Sequence, residues 1–82
     1  MKNDKEVYTE QQGQYLSFIY YYLKVNKKPP SFLDFEVYFE TSSASVNSML
    51  KMLEVKGFIF REKGKARSIK LCLDRDQIPD LK

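Results

Sequence analysis

Apolar positions recur along the chain in three blocks with helical spacing, then in two short blocks that alternate. In the first block Tyr15, Leu16, Ile19, Tyr22 and Leu23 repeat at three- and four-residue steps behind Thr9 and Gln12, a T-x-x-Q capping box. This predicts a helix over roughly 10–25, ended by the polar Asn26, Lys27 and Lys28 and by Pro29-Pro30, which cannot continue it. Ser31 with Asp34 offers a second cap, and Leu33, Phe35, Val37, Tyr38 and Phe39 predict a short apolar helix to about Glu40. The run TSSAS, 41–45, reads as a turn with hydroxyl caps. Val46, Met49, Leu50 and Leu53 then mark a third helix that Gly57 ends as its first left-handed residue.

After Gly57 the period becomes two. FIFRE and ARSIKLCL are rich in β-branched and aromatic residues, and KGK between them supplies a turn, so the expectation is a hairpin. Ile69, Leu71 and Leu73 would face one side, Lys70 and Cys72 the other. Cys72 reads as a half-buried strand residue rather than a redox switch. Helix, helix, short turn, helix and basic hairpin is the order of a winged helix-turn-helix. The expected fold is mostly α (α+β): three helices with a C-terminal two-stranded β-hairpin wing over 9–73, a flexible N-terminus at 1–8 and a loose C-terminal tail at 74–82.

Composition narrows the function classes. Eighty-two residues, 43% hydrophobic and 30% charged, describe one folded domain with one modest core. No apolar run approaches the ~20 residues of a membrane span and the N-terminus has no apolar leader, so the expectation is a cytoplasmic protein with no membrane contact. With no His and one Cys there is no zinc cluster, no His-based triad and no internal disulfide. A Ser–Lys dyad or carboxylate pair is not excluded by counting, but nothing marks one. The expectation is no enzyme, no metal and no cofactor.

Charge distribution says more than the net +3. Residues 56–70 hold Lys56, Arg61, Lys63, Lys65, Arg67 and Lys70 against Glu62, six minus one or +5, which leaves −2 for the rest. A near-neutral body with one basic segment is the footprint of a phosphate-binding module. A solvated hairpin would also carry such charge, but would not explain why it directly follows a helix-turn-helix pattern.

Three stretches resemble a known family. TEQQGQYLSFIYYYLKVNKKPPS, LKMLEVKGFI and GKARSIKL are similar to the amino-terminal DNA-binding domain of LexA-type repressors, over about 9–73. The resemblance implies a winged helix-turn-helix that binds double-stranded DNA in a sequence-specific way, as a small transcriptional repressor. Two departures stand out. The family's second helix is usually alanine-rich and ends in a glycine turn, whereas this chain has FLDFEVYFET, with large aromatics and no glycine. The family's self-cleaving carboxy-terminal domain is also absent from the sequence, so autoproteolysis is not expected.

In the third helix, inward Val46, Leu50 and Leu53 leave Ser43, Ser45, Asn47, Ser48 and Lys51 facing out. Ser42, Ser43 and Ser45 lie at its N-terminus, where hydroxyls and free N–H groups suit phosphate or base edges, or serve as plain caps. Asn47 is the candidate base reader, since a carboxamide bonds adenine N6 and N7 together; the alternative is a plain solvated surface residue. Arg61, Lys63, Lys65 and Arg67 of the wing would meet the DNA backbone or minor groove, with an Arg67–Glu62 pair across the hairpin as the alternative. Tyr20, Tyr21, Tyr22, Phe32, Phe35, Tyr38 and Phe39 are more aromatics than one small core needs, which suggests a homodimer or a protein partner on helices one and two. The competing functional class is therefore a winged-helix interaction module, and RNA or single-strand binding is a third.

Overall fold

The computed structural model describes residues 8–65 and 67–81. Thr9 and Gln12 close the expected capping box, each side chain bonding the other's backbone N–H, and start helix α1 (Glu10–Asn26). Lys27 ends it in the left-handed conformation, with its N–H on the Leu23 carbonyl. Ser31 and Asp34 repeat the device for α2 (Phe32–Phe39). α3 runs over Ser43–Val55, with Ser42 as its cap. It therefore begins inside TSSAS, and the turn between α2 and α3 shrinks to Glu40, Thr41 and Ser42. Glu40 takes the left-handed conformation, φ 52°, that the missing glycine would have supplied, and Thr41 N–H closes back on the Glu36 carbonyl at 3.1 Å. At the end of α3, Gly57 N–H bonds Glu54 and Phe58 N–H bonds Leu53, a Schellman closure with Gly57 at φ 79°.

Strand β1 (Ile59–Phe60) pairs antiparallel with β2 (Lys70–Leu71), Ile59 opposite Leu71 and Phe60 opposite Lys70. The architecture is the expected three helices and two-stranded wing. The strands are much shorter than FIFRE and ARSIKLCL suggested. Ser68 Oγ takes up both the N–H and the carbonyl of Glu62, groups a longer ladder would have used. Ile69 is buried, Leu71 and Leu73 are half-buried, and Lys70 points out as the alternation required. Cys72 is exposed and lies beyond the strand, which corrects its half-buried reading.

Leu16, Ile19, Phe35, Val46, Leu50 and Leu53 are fully buried where the three helices meet, and Ile59 and Ile69 close the core from the wing. Tyr15 stacks on Phe35 and Phe39 with ring centroids 5.2 and 4.3 Å apart, and Phe18 packs against Phe35 and Tyr38. Much of the aromatic surplus is thus the α1–α2 contact itself. Leu33 and Val37, one turn apart on the far side of α2, stay 64% and 69% exposed.

The ends also differ from expectation. Tyr8, the last residue of the segment expected to be flexible, packs on the domain: its ring meets Phe58 edge-on and its hydroxyl donates to the Gln77 carbonyl at 2.6 Å. Residues 1–7 of the flexible segment expected at 1–8 lie outside the described residues, as does Lys82 of the tail. Residues 74–81 are not a loose end. A 3-10 turn (Arg75–Gln77) leads to buried Ile78, and Pro79 and Asp80 accept hydrogen bonds from Ser17 and Gln14 of α1. This explains why every residue of α1 from Gln12 to Ile19 is buried: α2 and α3 cover one side and the tail covers another. No helix among the described residues is long and apolar enough to cross a membrane.

Candidate nucleic-acid interface

The outward face of α3 follows from its inward one. With Val46, Leu50 and Leu53 fully buried, Ser43, Asn47 and Lys51 fall on one stripe at four-residue spacing, with Ser48 beside them. Ser43, Ser48 and Lys51 are exposed, and Asn47 is half-buried. Ser42 and Ser45 have a structural duty. Ser42 Oγ accepts from Ser45 N–H and donates to Ser45 Oγ, both at 3.2 Å, so the Ser42 hydroxyl caps the helix and the Ser45 hydroxyl holds the cap. The first-turn N–H groups of Ser43 and Ala44 have no acceptor within the helix, which gives this exposed end a partial positive charge.

Across from α3 stands the wing. Its tip turns at Glu62–Lys65, closed by Lys65 N–H on the Glu62 carbonyl at 3.2 Å and by Gly64 at φ 82°, a conformation a side chain would strain. Ser68 pins this turn, donating to the Glu62 and Lys65 carbonyls and accepting from Glu62 N–H. Nothing in the sequence marks Ser68 for this role, because its partners lie across the hairpin.

Between helix and wing lies a groove of about 710 Å³ whose walls include Lys51 of α3 and Arg61, Lys63 and Lys65 of the wing, with Glu54 and Glu62 as its acids. The acids are spoken for. Glu54 pairs with Arg61 at 2.8 Å, and Glu62 with Lys65 at 3.7 Å. Lys51 and Lys63 form no ion pair among the described residues and are exposed, so the groove presents uncompensated positive charge.

Two of the expected wing cations are held by the protein itself. Arg61 lies between Glu54 and the ring of Phe32, whose centroid is 5.8 Å away, which ties the start of the wing to the end of α3. Arg67 does not pair with Glu62 across the hairpin. It reaches instead to the junction of α1 and α2, where its Nη1 donates to Tyr22 Oη at 3.3 Å, the Pro29 carbonyl at 3.0 Å and Asp34 Oδ2 at 3.1 Å. The structure thus brings Lys51, Arg61, Lys63 and Lys65 to one groove and turns Arg67 away from it. Burial alone would raise the Asp34 carboxyl; the hydrogen bonds from Ser31 and Tyr22 and the charge of Arg67 outweigh it and hold the group below its ordinary value.

The tyrosine run is also absorbed in part by cations. Arg75 lies over the rings of Tyr20 and Tyr21, 5.2 and 5.7 Å from their centroids, and donates to the Tyr21 hydroxyl at 3.1 Å. Among the described residues no cluster of His, Cys, Asp and Glu is arranged to hold a metal ion. Compared with known families, residues 5–68 match the model of the LexA DNA binding domain. No curated protein sequence matches the chain.

Proposed function

The chain belongs to the LexA DNA-binding domain family, and from that premise we propose that it is a sequence-specific reader of double-stranded DNA that represses transcription by occupying its site. DNA binding comes with the family. The observation that supports this reading of the chain is the groove in which Lys51 of the third helix and Lys63 and Lys65 of the wing converge. A duplex lying against α3 would meet the exposed helix end at Ser43 and the carboxamide of Asn47 in its major groove, with Ser48 and Lys51 beside them and the wing lysines on the flanking backbone. Ser42, as the cap, and Ser45, as its partner, would support this contact. Arg61 would hold the wing against α3 rather than reach the duplex.

One short helix and one wing cover little duplex, so binding as a homodimer on a two-part site is part of the proposal. The exposed Leu33 and Val37 of α2 favour a second reading, in which the fold serves as a protein-interaction module.

The test is a titration of the protein against random duplex, a selected duplex, single-stranded DNA and RNA at two salt concentrations, with sedimentation of free and bound species. The expected result is preference for duplex, tighter binding to the selected sequence, a steep salt dependence and two protomers per site. Equal binding to all four polymers would remove sequence-specific readout. No binding to any would leave the interaction module.

A further inference from the structure

The two strands of the wing are joined to each other by a ladder of only two residues on each side. Beyond that ladder the wing is braced by two arginines, one from each strand's continuation. Arg61 reaches into the groove to Glu54, and Arg67 reaches out of it to Asp34. The second brace has the wider grasp. The single nitrogen Nη1, with two hydrogens, is shared among oxygens from the last turns of α1 (Tyr22), the α1–α2 connection (Pro29) and the first turn of α2 (Asp34). The same Asp34 Oδ2 accepts from the Ser31 N–H at 2.7 Å and from the Ser31 hydroxyl at 3.0 Å, so the carboxylate that caps α2 is also the one that holds the wing.

We propose that Arg67 is a positioning residue, a latch that sets the angle of the wing against the helix-turn-helix through Asp34, and not one of the groups that touch phosphate. This rests on the DNA-binding reading above. Because the helix-turn-helix and the wing must meet one duplex together, a wing free to swing presents its lysines to the backbone less often, although Arg67 itself touches none of it. The latch separates the sign of charge from the sign of its effect. If Asp34 acted on DNA only as a negative charge, its removal would strengthen binding; as half of the latch, its removal weakens it.

The experiment compares Arg67→Ala, Arg67→Lys, Asp34→Asn and Lys63→Ala in duplex affinity against salt, with amide exchange at Glu62 and Lys65 measured without DNA. The expected result is a drop of about tenfold in affinity for Arg67→Ala and for Asp34→Asn, little rescue by Arg67→Lys, and no further drop in the double variant, because one coupled pair is broken either way. The salt slope should stay at the wild-type value in all three and flatten by about one unit only in Lys63→Ala. Wing amides should exchange faster in both latch variants while those of α1 do not change. A slope flattened by Arg67→Ala as by Lys63→Ala, or tighter binding by Asp34→Asn, would overturn the proposal. Unchanged wing exchange overturns it even for a chain that binds no duplex, a result that would defeat the DNA reading separately.

Discussion

The hydroxyl of Ser17, fully buried in the middle of α1, donates to the main-chain carbonyl of Pro79, 62 residues further along the chain. One turn earlier on the same face Gln14 donates to the Asp80 carbonyl at 3.0 Å. Polar side chains in a helix interior are costly to bury unless bonded, and here each satisfies a backbone group of the tail. Ser17→Ala leaves the Pro79 carbonyl without its donor and should cost about 1–3 kcal/mol, read from denaturant unfolding. A loss under about 0.5 kcal/mol, the usual effect of a surface substitution, would mean that the tail is not held there in solution.

Gly13 faces the same junction. A Cβ there would stand 2.9 Å from the Tyr8 ring and 3.0 Å from the Pro79 ring. In an open helix Gly→Ala stabilises by about 1 kcal/mol. Here Gly13→Ala should lower the melting temperature, because the tail and Tyr8 must shift away. A rise would show that both move aside without cost.

Glu40 holds a left-handed conformation at the helix-turn-helix turn. A side chain in that region is strained by about 1–2 kcal/mol, part of which glycine gives back in chain entropy. Glu40→Gly should therefore stabilise the fold by about 0.5–1 kcal/mol, checked by chemical denaturation. Destabilisation would point to a role for the Glu40 side chain that outweighs the strain.

For DNA binding, the lysines of the groove should matter most: Lys51 and Lys63, which form no ion pair among the described residues, with Lys65, whose partner Glu62 is exposed. Replacing Lys51, Lys63 and Lys65 by Ala should weaken every duplex by similar factors and flatten the log–log salt slope by about one unit for each phosphate that is no longer neutralised. Asn47→Ala should instead cost about 1–3 kcal/mol on the preferred site and leave the slope alone, since a base edge releases no counterion. An equal fall in affinity on random duplex in Asn47→Ala would remove its role as a reader.

Acid should loosen the latch. The native Asp34 carboxyl lies below its ordinary value of 3.8, which the unfolded chain keeps. Its contribution is therefore fully present above the unfolded value and is lost as pH falls through the lower native one. Unfolding measured from about pH 6 to pH 2 should show a stability loss that steepens below about pH 4 and is shallower in Asp34→Asn. Identical profiles would mean that Asp34 gains nothing from its partners.

What could be read in the chain was local. Thr9 with Gln12, Ser31 with Asp34, and Gly57 behind Leu53 each act within about five residues, so helix starts and ends stand in the sequence as fixed spacings. The inward face of α3 was equally legible. Val46, Leu50 and Leu53 share one side of a 3.6-residue period, and burial of that side exposes Ser43, Asn47 and Lys51 on the other. On α2 the same logic was insufficient: in FLDFEVYF nearly every position is apolar, so periodicity could not choose a face, and packing against Tyr15 and Phe18 buried Phe35 while leaving Leu33 and Val37 outside.

Caps, periods and local charge are properties of neighbouring residues, which is why three capped helices, a change of period after Gly57 and a cluster of positive charge stand in the chain before it folds. Which of those charges stay available is settled by folding. Arg61 and Arg67 look no different from Lys63 in the sequence, yet one meets Glu54 and the other Asp34, 33 residues away, and both are tied to the protein. The docking of 74–81 on Ser17 and Gln14 was hidden for the same reason. A hydrogen bond between side chain and backbone more than sixty residues apart leaves no spacing to read, since only the folded path of the chain brings its two ends together.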